Sequence, residues 1–237
     1  MSGVISMIKY FKYILFIKFL VLTKLIYTFA DELKEYKISP KNKKELSYEI
    51  TTVFPESKHR FWLEAEGFHN YKTGVGEIER LDTFYGYHFH KYWDLRLGVG
   101  VKGGYGNGKK VRDMLVIGIK GLHVYVFEAE MNLRRTSKGE FMSDIELEYN
   151  FNLAKKFVIQ PRITSLISNK RIEEIDVGKG VNYIGFVGMF FYRINEKVAP
   201  YIMFYRKYLV GDKKNMEQLK NKKTVIDNIS IGLRFRF

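Results

Sequence analysis

Cysteine is absent from this 237-residue sequence, and proline occurs only four times. Without cysteine, the chain has no disulfide framework and no thiolate chemistry. The scarcity of proline leaves few interruptions to strand hydrogen bonding. Aromatic residues are plentiful instead, with 17 Tyr and 19 Phe. This composition suits a membrane β-barrel with aromatic girdles at both interfaces, although a β-sandwich enzyme can share it.

The first thirty residues have the pattern of an export signal. A basic start precedes an apolar run, and Thr28 and Ala30 have the spacing of a small-x-small cleavage site. Lys18 and Lys24 interrupt the run. Each lysine would cost about 2.5 to 3.5 kcal/mol at the centre of a permanent membrane helix. Residues 1–30 are therefore predicted to be a cleaved signal peptide rather than an anchor.

Residues 31–59 form a polar, lysine-rich stretch with Pro40 and Pro55 and no clear hydrophobic period. Such a stretch buries too little apolar surface to fold by itself. We predict a flexible periplasmic arm over residues 31–59, followed by a barrel over residues 60–237.

The last fourteen residues show the clearest pattern of the chain. Apolar residues alternate there with polar or small residues with a period of two. This pattern is typical of a strand with one face toward an apolar environment and the other toward a polar one. The apolar positions are Val225, Ile229, Ile231, Leu233, Phe235 and Phe237. The positions between them are Asn228, Ser230, Gly232, Arg234 and Arg236. A strand of about a dozen residues exceeds the usual globular length but suits a tilted membrane span.

About ten segments of this kind can be counted between Arg60 and Phe237, and a misread turn would make the number eight or twelve. Long and short connections mostly alternate, as in barrels with short periplasmic turns and longer outer loops. No stretch after residue 30 shows a convincing helical period. The predicted fold is an all-β, transmembrane, antiparallel up-and-down β-barrel in a bacterial outer membrane, with both termini in the periplasm.

The formal net charge of +14 invites comparison with nucleic-acid-binding proteins. No nucleic-acid-binding motif accompanies the charge, and an exported protein does not meet chromosomes. No nucleic-acid partner is expected. The lysines are expected either to face solvent in loops or to pair with phosphates of lipopolysaccharide beside the outer-membrane lipid.

Charged residues fall on the inward faces of several predicted strands. Because a narrow barrel leaves little room for water, these charges are expected to pair across the lumen. The alternative is a partly acidic path for a cation. The set comprises Glu64, Glu66, Asp94, Arg96, Glu128, Glu130, Glu146, Glu148, Arg162, Arg234 and Arg236.

Several short stretches resemble the copper resistance protein B family of the outer membrane, and together they cover most of the chain after Arg60. They are FWLEAEG at 61–67, YWDLRLGVG at 92–100, IGIKGL at 117–122, YVFE at 125–128, LEY at 147–149, VIQPR at 158–162 and APYI at 199–202. The resemblance implies a role in copper tolerance, with Cu(I) or Cu(II) as ligand or substrate and a periplasmic copper-binding protein as a further partner. Members commonly carry a Met- and His-rich segment before the barrel, but residues 31–58 here contain neither residue.

Any copper must therefore be bound in the barrel or its loops. Thioethers and imidazoles are the ligands that soft Cu(I) prefers. Alternation places Met142 inward, the resemblance places Met189 and Met203 inward, and the two histidines share one side of a predicted turn. The candidate metal ligands are Met142, Met189, Met203, Met114, Glu128, Glu146, Glu148, His88 and His90. The alternative is plain packing for the methionines and an aromatic girdle for the histidines.

Catalysis has little support in the sequence, because no Ser, His and Asp constellation carries a recognisable motif. We expect no enzyme activity and no catalytic residues. Two other functions stay open: a structural or adhesive barrel with a sealed lumen and no metal, and an outer-membrane hydrolase.

Overall fold

The computed structural model describes residues 33–42, 45–56, 58–123 and 127–237. Within them, twelve long antiparallel strands form one continuous sheet, and the short segment Phe151–Asn152 extends its ladder. The predicted signal peptide over residues 1–30 lies outside the described residues. The strands are β1 Leu33–Asn42, β2 Glu45–Glu56, β3 His59–Asn70, β4 Val75–His90, β5 Trp93–Tyr105, β6 Val111–His123, β7 Phe127–Thr136, β8 Phe141–Tyr149, β9 Phe157–Ser168, β10 Gly180–Tyr192, β11 Val198–Leu209 and β12 Val225–Arg236.

The sheet closes on itself through its first and last strands. Each strand pairs with its neighbours in sequence, and β1 pairs with β12, where Glu35 lies opposite Arg236 and Ile38 opposite Leu233. Closure satisfies the backbone donors and acceptors that two edge strands would leave exposed. The predicted class, an antiparallel up-and-down β-barrel, is confirmed.

The prediction of about ten strands is wrong, because the barrel has twelve. The two additional strands, β1 and β2, lie within residues 31–59, where a flexible arm was expected, so the barrel begins at Leu33 rather than at Arg60. Lys37 of β1 lies opposite Glu49 of β2, and their side chains form an ion pair at 2.8 Å. The hairpin does alternate, with Lys37 and Glu49 on its inner face and Ile38 and Leu46 exposed on its outer face, but this pattern is short and stands among several lysines.

The wall of the barrel is apolar outside and polar inside. On β5, Leu95 and Leu97 point outward and are 51% and 53% exposed. Between them, Arg96 points inward and has no exposed area. Most large apolar side chains of the outer wall are similarly exposed, which suits contact with lipid rather than with water.

The two ends of the barrel differ. The end that carries Leu33 and Phe237, called here the terminal end, has short connections such as 91–92 and 193–197. The opposite end, called the loop end, carries the two longest connections, 169–179 and 210–224. This difference gives the barrel a direction, because among the described residues the loop end has the longest segments available to fold over the lumen.

Both long connections contain helical turns, so the expectation of no helix is wrong. Residues Glu173–Ile175 form a 3₁₀ turn, and Gly211–Leu219 form the helix α1. Helix α1 is mostly polar, with Met216 buried, so its sequence lacks a strong apolar stripe. No helix among the described residues has the length and apolar character needed to cross a membrane.

Candidate functional site

The centre of the lumen contains a compact cluster of buried charges. Glu64 accepts hydrogen bonds from Arg96 at 2.9 Å and from Lys120 at 3.1 Å. Glu130 lies beside it and contacts the same two cations at 2.8 and 2.9 Å, as well as Arg80 at 2.9 Å. Lys120 also contacts Glu128 at 2.7 Å and Arg80 contacts Glu66 at 3.5 Å, so four carboxylates surround these three cations.

Aromatic rings complete this central cluster. The guanidinium of Arg96 lies 4.3 Å from the centroid of the Phe84 ring and 5.3 Å from that of Trp62. Cations are attracted to the faces of such rings, most strongly where water is excluded. The rings and the ion pairs together fill the lumen at this level, as expected for a barrel too narrow to hold a wide channel.

A second set of ion pairs joins other parts of the wall. Arg134 of β7 donates to both carboxylate oxygens of Asp82 of β4, at 2.8 and 2.7 Å, and also contacts Asp144 of β8. Arg60 pairs with Asp94 at 2.9 Å. Charge pairing across the lumen, expected from the sequence, is confirmed for these strands.

The three acidic residues predicted as metal ligands all face cations of the protein. Glu128 contacts Lys120 at 2.7 Å, whereas Glu146 and Glu148 contact Arg162 at 3.4 and 2.8 Å. A metal ion at these carboxylates would have to compete with fixed positive charges. Their arrangement therefore favours pairing over metal binding.

The two predicted histidine ligands are not brought together. His88 points toward the lumen, where its Nδ1 lies 2.7 Å from Asp94 Oδ1. His90 is exposed and packs against the ring of Tyr92, because the ladder between β4 and β5 shifts register between His88 and His90. Among the residues that the structure describes, no group of three or more His, Cys, Asp or Glu side chains is placed to hold a metal ion.

Two of the methionines, by contrast, form a pair. Met189 of β10 lies directly opposite Met203 of β11 in the antiparallel register. Both side chains line a cavity of about 110 Å³, together with Tyr201 and Tyr205. Directly opposed residues hold their Cβ atoms about 4.5 to 5.5 Å apart, so two thioethers are available on one face of the wall.

Exposure differs between neighbouring inward residues around this cavity. Glu66, which lines it, is 31% exposed, whereas Glu64, two residues closer to the terminal end, has no exposed area. On β11, Met203 and Tyr205 are half-buried, and Tyr201 is buried. Met203 is therefore the more accessible of the paired thioethers.

Met114 and Met142 lie in a different, apolar environment. Both are buried and belong to a cluster with Leu166 of the wall and with Ile172 and Ile175 of the 169–179 connection. They point inward, as predicted, and Met114 also lines a second cavity with Asp113, Thr136 and Ser137. Their surroundings indicate packing under a loop.

Sequence reasoning missed part of the cavity lining. Tyr48 and Glu49 line the thioether cavity from β2, and Lys37 lines it from β1. All three lie in the stretch predicted to be an arm. The alternation of Lys37, Ser39 and their partners on β2 was the available signal, but it was too short to stand out from a lysine-rich segment.

Solved structures with the same architecture identify the class of protein. The NanC porin aligns with a TM-score of 0.54 and 11% identity, covering 87% of this chain and 100% of that chain. The KdgM porin aligns with a TM-score of 0.52 and 10% identity, covering 86% and 99%. At such low identity the likeness concerns the fold, which is that of outer-membrane porin-like β-barrels.

The sequence also identifies the family within this class of barrels. The sequence profile described as copper resistance protein B precursor matches residues 25–237, nearly the whole chain. The chain therefore belongs to the copper resistance protein B family, as its sequence stretches indicated. A search of curated proteins gives no match.

Proposed function

We propose that this outer-membrane barrel takes part in copper resistance by binding copper ions in its lumen, at the Met189 and Met203 pair. The observation that carries the proposal is the direct opposition of two thioethers at a cavity. Membership of the copper resistance protein B family indicates copper as the metal, and the cavity is the place where we propose that it binds. Copper is the cargo of this site rather than a resident cofactor.

The chemistry of the cavity suits a soft cation. Thioether sulfur is a ligand for Cu(I), and the aromatic residues Tyr201 and Tyr205 line the same cavity. Glu49 and Glu66 line the same cavity together with Lys37 and Arg162, and both of these cations pair with Glu49, so the two thioethers rather than the carboxylates carry the preference for copper. This combination favours Cu(I) over Cu(II), which prefers nitrogen and oxygen ligands.

Passage of copper across the membrane is a further part of the proposal. The central cluster around Glu64 and Arg96 fills the lumen beyond the cavity with closely spaced ion pairs. A copper ion that moves past this cluster must displace or rearrange its ion pairs. Binding is therefore the primary function proposed, and passage depends on rearrangement of the lumen. No catalytic role is proposed.

The proposed orientation places the loop end outside the cell and the terminal end in the periplasm. The five loop-end connections after β3, β5, β7, β9 and β11 carry twelve basic and six acidic residues. Such an excess of lysine and arginine suits contact with the phosphates of lipopolysaccharide. The terminal end would then deliver copper to, or receive it from, a periplasmic copper-binding protein.

The test is Cu(I) binding by the full chain folded into lipid vesicles, measured by competition with a chromogenic Cu(I) chelator. The double variant Met189→Leu and Met203→Leu is compared with Met131→Leu. Met131 points outward and is 48% exposed, so its replacement controls for the loss of a methionine. A third arm, Met114→Leu with Met142→Leu, tests the other predicted thioethers.

Stoichiometric binding by the parent and by Met131→Leu, with loss in Met189→Leu and Met203→Leu, is the expected result. Equal binding by that double variant and the parent would overturn the assignment of the site. A sealed structural barrel is the second candidate, because ion pairs fill the lumen at the level of Glu64. Absence of Cu(I) binding by the parent would favour it.

A further inference from the structure

The 169–179 connection folds over the loop end of the lumen and is called the lid below. Its apolar residues Ile172, Ile175 and Val177 are buried. They belong to the same cluster as Met114 and Met142 of the wall. The lid therefore has an apolar underside that closes over two thioethers and excludes water from them.

Polar contacts with the 210–224 connection hold one side of the lid. Asp176 of the lid accepts hydrogen bonds from Lys213 at 2.6 Å and from Lys220 at 2.7 Å. Asp212 accepts from Arg171 Nε at 2.9 Å and from the backbone N–H of Lys179, also at 2.9 Å. These contacts of Asp176 and Asp212, called here the latch, join the lid to helix α1.

The far side of the lid reaches strands β6 and β7. Glu174 contacts Arg112, which lies at the start of β6. It also pairs at 3.0 Å with Lys138, which follows β7. The lid connects β9 to β10. Its contacts with β6 and β7 lie on the opposite side of the cluster that contains Met114 and Met142, so the lid covers these two residues at the loop end.

The lid can move without breaking the barrel. Its residues contribute no strand to the twelve-stranded sheet, apart from one isolated bridge between Ile172 and Val177. Gly180, where the lid joins β10, has a φ of 79°, and Gly211, at the start of α1, has a φ of 53°. Glycine adopts this left-handed region without steric cost, so the backbone is free to turn at the end of the lid and at the start of helix α1.

We infer that the lid is a gate that opens at the loop end and exposes Met114 and Met142 to the solution. Opening exchanges the latch contacts for contacts with water, which costs less for the half-exposed pair of Asp176 and Lys220 than for the more buried Lys213, and it uncovers the three apolar residues of the underside. The latch contacts determine how often the lid opens, because a segment with few contacts to the barrel can open independently of the sheet. The gate goes beyond metal binding and does not depend on it.

The absence of cysteine allows a direct test. Met142→Cys introduces one thiol beneath the lid, and its reaction with a charged methanethiosulfonate reagent is followed by mass spectrometry. The parent carrying only this change is compared with two lid-opening variants. One is Asp176→Asn with Asp212→Asn, which removes the latch charges, and the other is Ile175→Ser, which weakens the apolar underside.

The matched control is Asp227→Asn. Asp227 forms an exposed ion pair with Arg206. These two residues lie opposite each other on β12 and β11 and are not part of the lid. Heat-modified migration in gel electrophoresis confirms that every variant forms a folded barrel. The rate of thiol modification is expected to rise threefold to tenfold in both opening variants and to change less than twofold in the control. Equal rates in the opening variants and the control would overturn the gate.

Limited trypsin digestion provides an independent measurement on the same proteins without the introduced cysteine. Lys170, Arg171 and Lys179 offer cleavage sites in the lid. Cleavage there is expected to be at least threefold faster in Asp176→Asn with Asp212→Asn than in Asp227→Asn. Cleavage that is equally fast in the parent would show that the lid is already open and would contradict the latch. Neither readout involves copper, so failure of the gate is distinguishable from failure of the metal site.

Discussion

Arg96 donates a hydrogen bond to Glu64 across the lumen at 2.9 Å, and neither side chain has any exposed area. The two residues come from β5 and β3, which are not neighbours in the sheet. Their contact therefore crosses the interior rather than following the wall. This geometry makes Glu64 the anion on which several buried cations depend.

Replacing Glu64 by Gln is expected to destabilise the barrel on the order of 3 kcal/mol, because it leaves Arg96 and Lys120 buried with less compensating charge. The measurement is the free energy of unfolding in urea, with the protein folded into lipid vesicles. Glu128→Gln is the control, since Glu128 is partly exposed and its loss should cost less than about 1 kcal/mol. Equal losses in the two variants would show that burial of the central cluster does not determine its contribution.

Met203→Leu is expected to weaken Cu(I) binding at least tenfold with little effect on stability. Met203 is the more accessible member of the pair, and Leu preserves its volume, so unfolding should change by less than about 1.5 kcal/mol. Cu(I) affinity and urea unfolding are measured on the same preparations. Unchanged affinity together with unchanged stability would remove Met203 from the site.

Two glycines of the wall should respond differently to Ala. A Cβ at Gly118 would lie 2.1 Å from Asn132 Oδ1, and Asn132 accepts a hydrogen bond from Arg96. Gly118→Ala should therefore disturb the central cluster and cost about 1 to 3 kcal/mol. A Cβ at Gly188 would meet nothing within 4 Å, so Gly188→Ala should be nearly neutral. Urea unfolding of both variants checks the difference, and a reversed order would contradict the packing described.

The latch should depend on pH only in the acidic range. Burial acts to raise the pKa of Asp176, but hydrogen bonds from Lys213 and Lys220 outweigh it and lower this pKa to about 2. The hydrogen bond from Arg171 is the main cause that lowers the pKa of Asp212 to about 2. Both pKa values lie below those of an unfolded chain. The latch contribution is therefore fully present above about pH 4 and is lost as the pH falls through 2.

Hydrogen exchange of peptides from the lid, followed by mass spectrometry and corrected for intrinsic rates, measures this dependence. Protection should be constant from pH 7 to pH 5 and should fall below about pH 4. The pKa values of Lys220 and Arg171 are raised by their partners, so these two cations keep their charge throughout that range while the carboxylates change. In the double variant Asp176→Asn with Asp212→Asn, the loss of hydrogen-exchange protection at acidic pH should be much smaller. A loss of protection centred near pH 6 would exclude these two carboxylates as its cause.

The sequence by itself determined the class of fold and the two faces of most strands. Alternation along β5, β7 and β12 assigned Arg96, Glu130 and Arg234 to the lumen, because a strand places successive side chains on opposite faces. Short sequence stretches determined the family. These properties are local, so a single chain segment is enough to carry them.

Only the tertiary structure decided the number of strands, the site and the lid. The strand β1 is completed by pairing with β12 at the other end of the chain, and no local pattern contains that partner. The opposition of Met189 and Met203 depends on the register between β10 and β11, where a slip of one residue would send one thioether into the lipid. The lid rests on contacts between Asp176 and Lys213, which are distant in sequence and meet because β10 and β11 pair side by side and bring the two connections together at the loop end.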